Sequence, residues 1–465
     1  MNMINVRRLA VMTFLGAGML SDISAQDFSL QADTLNEARL PAQWDLQSCI
    51  DYALEQNITI RKNRVTAEST QIDVKTAKAA LFPSLSFSTS QQVVNRPYQE
   101  TSSRVSGSEI ISSNSKTSYN GNYGLNASWT IYNGSKRLKT LKQERLNNQI
   151  AELDVATSEN TIKESIAQIY IQILYAAESV RVNENTLQVS IAQRDRGQEL
   201  LNAGSIAKSD LAQLEAQVST DRYQLVTAQA TLQDYKLQLK QLLELDGENE
   251  MTVYLPKLSD ENVLAPLPAK KDVYVSALAI RPEIEASKLN VEASELGIDI
   301  AKSSYFPTIS LSAGIGTNHT SGSDFTFGEQ VKNGWNNSFG LSVSVPIFNN
   351  RQTKSAVQKA KLQRETNMLS LLDEQKALYK TIESLWLDAN SAQQRYAAAN
   401  EKLRSTQISY DLISEQFNLG MKNTVELLTE KNNLLQAQQE QLQAKYMAIL
   451  NTQLLKFYQG DKLTL

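Results

Sequence analysis

The chain has one cysteine and one histidine in 465 residues. A single thiol forms no internal disulfide. Cys49 lies in the helical pattern Leu46 to Leu54, away from any processing site where a lipid could be added, and reads as a small buried apolar residue. His319 sits in a stretch rich in Gly, Ser and Thr. Neither residue has the neighbours that metal ligation or His-based catalysis needs, so no cofactor is expected. Glycine (18) and proline (9) are few for the length. Gln, Asn, Ser, Ala and Leu are abundant, which suits long polar helices better than several compact cores. No basic run stands out and the formal net charge is −4, so nucleic acid finds no electrostatic footprint. Beyond the N-terminus no apolar run reaches the length of a membrane helix. Any insertion into a bilayer must therefore use strands.

What is present begins with a secretory signal at residues 1–25. Arg7 and Arg8 supply the positive start, Leu9 to Leu20 is a short apolar run, and Ser24-Ala25 precedes a plausible cleavage point at Gln26. The alternative is an uncleaved N-terminal anchor.

The chain is organised around a junction that occurs twice. The stretch AKAALFPSLSFS at Ala77 to Ser88 returns as AKSSYFPTISLS at Ala301 to Ser312, 224 residues on. Upstream of Pro83 and Pro307 the pattern is helical; downstream, apolar and polar residues alternate. Each proline ring removes a helix hydrogen bond and biases the preceding residue towards extended backbone. The same order of elements follows each copy, so the chain is an internal duplication. The first repeat covers 26–245, a Pro-bearing linker 246–271, and the second repeat 272–465.

In the first repeat the pattern predicts a short helix from Leu46 to about Gln56 with Asp45 as N-cap. A helix at 58–81, strands at about 84–94 and 119–132, and helices at 136–201 and 206–245 follow. The second repeat predicts helices at 272–280 and 282–304, strands at about 308–317 and 335–348, and helices at 352–417 and 424–458. Stretches 95–118 and 317–334 read as loops. Two helices are far longer than a globular domain needs, roughly 100 Å at about 1.5 Å per residue. Ile162, Ile166, Ile169, Ile173, Ala176 and Val180 step by 4 and 3, as does the series from Leu378 to Phe417, the spacing of coiled-coil seams. Gly-containing turns at 202–206 and 418–423 separate the paired helices.

All four strands place aliphatic and aromatic residues on one face and Ser, Asn, Thr and Gly on the other. A transmembrane β-barrel strand has this pattern, apolar to lipid and polar to a wet lumen. A soluble antiparallel sheet with one buried face would alternate likewise. Phe82, Trp129, Tyr132, Phe306, Trp335 and Phe348 lie near strand ends, as interfacial aromatics do. Four strands cannot close a barrel, and an open edge in lipid leaves backbone groups unsatisfied. Copies of the chain must therefore share one barrel.

The doubled Phe-Pro-x-Ile/Leu-Ser strand openings, the strand endings Leu125 to Gly134 and Leu341 to Asn350, and the turns at Gly204 and Gly420 together resemble the TolC-like outer-membrane efflux proteins. The turns share an offset of 216 with the strand endings. The resemblance covers nearly the whole mature chain. It implies a homotrimer in the outer membrane of a Gram-negative bacterium, with a 12-stranded barrel above a coiled-coil α-helical barrel that crosses the periplasm. It further implies a passive duct served by a periplasmic adaptor (a membrane fusion protein) and an inner-membrane pump of RND or ABC type.

Adaptor docking would fall on the tips, at Ala203, Gly204, Ser205, Ile206 and neighbouring Ala207, and at Leu419, Gly420, Met421 and Asn423. By position from the second Gly, Phe417, Lys422 and Glu426 fall on periplasmic gate positions, with Asp210 the partner for Lys422. An acidic ring there would favour cations. The sequence departs from the family pattern at Thr429, where a second acid is expected, and at Lys422, which lacks the fork of an arginine. The plainer alternative is that Asp210, Lys422 and Glu426 cap and solvate helix starts. Efflux of small molecules is the reading adopted. A type I protein-secretion duct is the alternative within the class, and a secreted coiled-coil adhesin or stalk lies outside it. No nucleophile–base pair, metal cluster or phosphate loop points to an enzyme.

Overall fold

The computed structural model describes residues 43–98, 102–106, 109–113, 116–246, 251–256, 263–321, 323 and 325–464. The expected signal at 1–25 and parts of the linker lie outside them. The chain divides into two units. In the small one Trp44 and Val253 form a parallel bridge, with Trp44 N donating to Thr252 O at 2.9 Å. All that follows concerns the other.

Each repeat opens with two helices joined through a cap. Asp45 Oδ1 accepts from Ser48 N at 2.7 Å and starts α1 (Leu46–Gln56). Asn57 ends it and N-caps α2 (Ile58–Ala79), accepting from Thr59 N at 2.9 Å. In the second repeat α5 (Lys270–Ile280) is followed by α6 (Pro282–Ser303), which begins on Pro282. Proline is favourable there because its missing N–H has no partner in a first helical turn. Both α2 and α6 stop three or four residues before the junction proline.

The strands are β1 (Ser84–Asn95), β4 (Thr117–Asn133), β5 (Thr308–Thr320) and β6 (Asn336–Ser344), paired antiparallel in the order β1-β4-β5-β6. Leu85, Phe87 and Val93 lie opposite Ala127, Leu125 and Tyr119, and Leu311 lies opposite both Trp129 and Leu341. Aliphatic and aromatic residues thus share one face and Ser, Asn, Thr and Gly the other. A bulge between Thr130 and Tyr132 returns Tyr132 to the aliphatic face, opposite Ile309. The aliphatic face is open in one chain: Phe339 is 85% and Phe87 67% exposed.

The two stretches read as loops carry structure. A hairpin of β2 (Ser102–Ser106) and β3 (Glu109–Ser113) lies within 95–118. In 317–334, β5 continues to Thr320, so His319 is a strand residue, and α7 (Phe327–Asn333) follows on a Thr326–Glu329 capping box. The last strand ends at Ser344 rather than 348, next to Val345-Pro346. Proline has no N–H for a ladder.

The long elements are α3 (Lys136–Asn202), α4 (Lys208–Leu242), α8 (Gln352–Asn418) and α9 (Thr424–Gln459). On the strand side the helices pack in a row, α2 on α3, α3 on α6, α6 on α8. Towards the turns α4 packs on α3 and α9 on α8, and α9 also packs on α3. Midway, Val273, Ile284, Leu378, Ile382, Leu455 and Tyr458 form a core. Beside it Arg281, 5% exposed, pairs with Glu164 at 2.7 Å and lies 3.6 Å above the Tyr458 ring. Cys49 is fully buried, and burial pushes its thiol up to about 12.

Candidate functional site at the helical tips

Both long hairpins turn in the same way. After α3, Gly204 (φ +72) and Ser205 return their amides to Leu201 O and Leu200 O at 2.9 and 2.8 Å. After α8, Gly420 (φ +75) and Met421 return theirs to Phe417 O and Gln416 O at 2.9 and 2.8 Å. A Cβ at either glycine would meet nothing within 4 Å. The left-handed backbone alone calls for glycine there. Ala203, Gly204 and Ser205 are exposed and Ile206 is half-buried; Leu419, Met421 and Asn423 are exposed. The turns thus present small and apolar groups to their surroundings.

The acids at the tips occupy equivalent places. Asp210 Oδ2 accepts from Ala207 N at 3.0 Å, and Glu426 Oε2 from Asn423 N at 3.2 Å. Each is the third residue of its helix, reaching back over the first turn. Within the chain Lys422 pairs with Glu426, Nζ to Oε1 at 2.5 Å, and not with Asp210. The Lys422 ammonium and then the Asn423 amide hold the Glu426 carboxyl below its usual range. Phe417 is 3% exposed and packs with Leu214 and Leu427, joining the two hairpins of one chain.

Further from the tips lies a group that the sequence reading missed. Asp221 of α4, Lys431 of α9 and Ser190 of α3 are all at least 97% buried. Lys431 Nζ donates to Asp221 Oδ2 and Ser190 Oγ, and Ser190 donates to Asp221. Gln217 Nε2 completes the carboxylate, donating to Oδ1 at 2.9 Å. Burial pushes the Lys431 pKa down, against the pull of Asp221. The signal was present in the spacing. Leu211, Leu214, Val218, Asp221 and Leu225 step by 3 and 4, and Lys431 stands between Leu427 and Leu434. Opposite charges on two apolar seams mark a buried pair.

The strand-end aromatics are unevenly placed. Phe82, Tyr132, Phe306 and Phe348 lie at the helix-side end, and Trp129 Nε1 donates to Leu81 O there at 2.8 Å. Trp335 alone of the six precedes the far end of β6. The far end has its own ring cluster: His319 stacks on Tyr123 at 5.9 Å and meets Tyr119 and Phe327 at 5.2 and 5.0 Å. Among the described residues no group of acids, His and Cys could hold a metal ion.

A transmembrane-type sheet continuous with duplicated helical hairpins defines a class of outer-membrane channel proteins. The profile of the outer membrane efflux proteins matches residues 49–244 and again 273–460, once per repeat, and the chain belongs to that family. Its place is the outer membrane of a Gram-negative bacterium. Outer membrane efflux protein BepC of Brucella suis biovar 1 (strain 1330) is 25% identical over 294 residues, 63% of this chain and 61% of that one. Outer membrane protein TolC of Escherichia coli (strain K12) is 25% identical over 341 residues, 70% of this chain and 66% of that one. Each match spans a little under two thirds of the relative's length. The crystal structure of CusC superposes with a TM-score of 0.76 at 19% identity, over 90% of this chain and 93% of that one. This likeness extends to the fold.

Proposed function

We propose that the chain is one subunit of a passive exit duct that carries small molecules through the periplasm and outer membrane. An inner-membrane pump of RND or ABC type and a periplasmic adaptor would supply energy and cargo, with no catalytic role for the chain itself. One observation carries this reading. The strand row and the helix row end at the same two sides, β1 with α2 on one and β6 with α8 on the other. β1 and β6 have one paired side each, and neither edge can stay open in lipid. Joining the β6 side of one chain to the β1 side of the next repeats until a ring closes. Three chains give twelve strands.

The helix edges support the same closure. On α2, Ile58, Val65 and Ile72 recur every seventh residue and are 59%, 65% and 60% exposed. On α8, Leu362 and Leu369 do likewise at 66% and 61%. Such apolar stripes are the seams of coiled coils, here without a partner in their own chain. The exposed turns at Gly204 and Gly420 would meet the adaptor. Asp210, Phe417, Lys422 and Glu426 would form the periplasmic gate.

Single-channel conductance of the detergent-purified oligomer in a planar bilayer tests this, run beside Asp210→Ala, Lys422→Ala and Glu426→Ala. Discrete, cation-preferring steps that grow in the variants are expected. Steps unchanged in the variants would remove the gate and keep the duct; a folded oligomer without steps would remove the duct. Protein secretion is distinguished by supplying a pump of each kind and asking which cargo leaves the cell.

A further inference from the structure

We propose that the membrane-spanning part of the duct is blind to charge, passing cargo of either sign and zwitterions alike. The inference rests on the duct reading and concerns its selectivity. None of the residues of β1, β4, β5 and β6 is Asp, Glu, Lys or Arg. On the aliphatic face that is required by lipid. On the polar face it is not: a water-filled lumen tolerates charged rings, and such rings are how pores select ions. This lumen face has hydroxyls, amides and glycines instead.

Those hydroxyls are already engaged along the wall. Ser84 Oγ meets Ser128 Oγ at 2.8 Å, Ser312 Oγ donates to Gly340 O at 3.3 Å, and Ser338 Oγ to Gly314 O at 3.4 Å. The glycines are what let them lie flat, since a Cβ on Gly340 would stand 2.8 Å from Ser312 Oγ, and one on Gly314 would stand 2.9 Å from Ser338 Oγ. The wall is therefore thin, self-satisfied and neutral. On the helix side Arg137 reaches back along β4 to Thr130 O, opposite Ser310 of β5. Ser88 pairs with Gly124, six residues along β4 from Thr130, and Ser338 lies across Gly314 from Asn126, four residues from it, so they stand roughly 20 and 13 Å from that charge. Both exceed a Debye length of about 8 Å at physiological salt. Discrimination by charge thus falls to the helical part and its tips. Within the membrane, size and polarity decide.

The test reads the lumen potential directly. Ser88→Cys and Ser338→Cys are each exposed to small thiosulfonate reagents of opposite charge; the natural Cys49 is buried and silent. Divided by its rate with a small free thiol, each reagent should react at rates within about threefold of the other. A preference above about tenfold for either sign would overturn the inference, as would no reaction at both positions. Asn126→Asp added to Ser88→Cys provides sensitivity. Asn126 Nδ2 lies 3.4 Å from Ser88 Oγ, and the new carboxylate should turn the preference clearly cationic. Phe87→Cys on the lipid face should stay unreactive. Reactivity and conductance are separate readings: balanced rates without conductance would remove the duct and leave the neutral wall.

Discussion

Lys431 is a charged side chain held almost wholly out of water. Its ammonium is out of water and its charge is balanced by one carboxylate on another helix. Removing one partner strands the other, at a cost of about 3–5 kcal/mol; replacing both by apolar groups is often neutral. Lys431→Met should therefore lower the unfolding free energy by about 3 kcal/mol or more. Lys431→Met with Asp221→Leu should recover most of it. Denaturant unfolding of the purified protein checks both. If single and double variants lose stability equally, packing rather than charge pairing is what the site supplies. At this scale the sequence was legible only in part. The turns at both tips were identifiable from spacing, but not the pairing of Lys422 with Glu426 within the chain. Lys422 stands in the turn just before the N-cap Asn423, so Glu426 in the first turn of α9 is within its reach locally, whereas Asp210 sits on another hairpin.

At the scale of elements, helices read more clearly than the outer loops. The boundaries of α3, α8 and α9 were legible within a residue or so, because proline, glycine and capping residues punctuate long uninterrupted seams. The hairpin β2–β3 and helix α7 were not, because short polar stretches of Ser, Asn and Gly carry no period to read. The two turns are the sharpest elements. Gly420→Ala puts a Cβ into empty space yet forces it to adopt φ +75. The expected cost is about 1–2 kcal/mol, confined to the last turn of α8 and the first of α9. Limited proteolysis should show faster cleavage at 418–423, with hydrogen exchange midway along the helices unchanged. Slower exchange loss at the turn than midway would argue against a locally strained tip.

For the molecule as a whole, duplication and the two faces of the sheet were legible from one sequence, since both are periodic. The row order α2-α3-α6-α8 was not, because adjacency of helices depends on which faces meet and not on spacing along each. That order leaves α2 an unpartnered edge. Lysine at Ile58, Val65 and Ile72 together should leave each chain's own core intact and prevent ring closure. Mass measurement in detergent should then find single chains for the variant and trimers for the parent. Persistent trimers would mean that the helix edges are not the seam.

The mismatch between the two sides of the chain also has a genetic consequence. Every subunit of a closed ring takes part in two of its joints, so one defective copy damages more than its own share. Co-expressed in equal amounts, a seam-damaged allele and its parent would leave roughly one ring in eight wholly parental, if three chains mix at random. Such alleles should be dominant over an intact gene copy, whereas null alleles should be recessive.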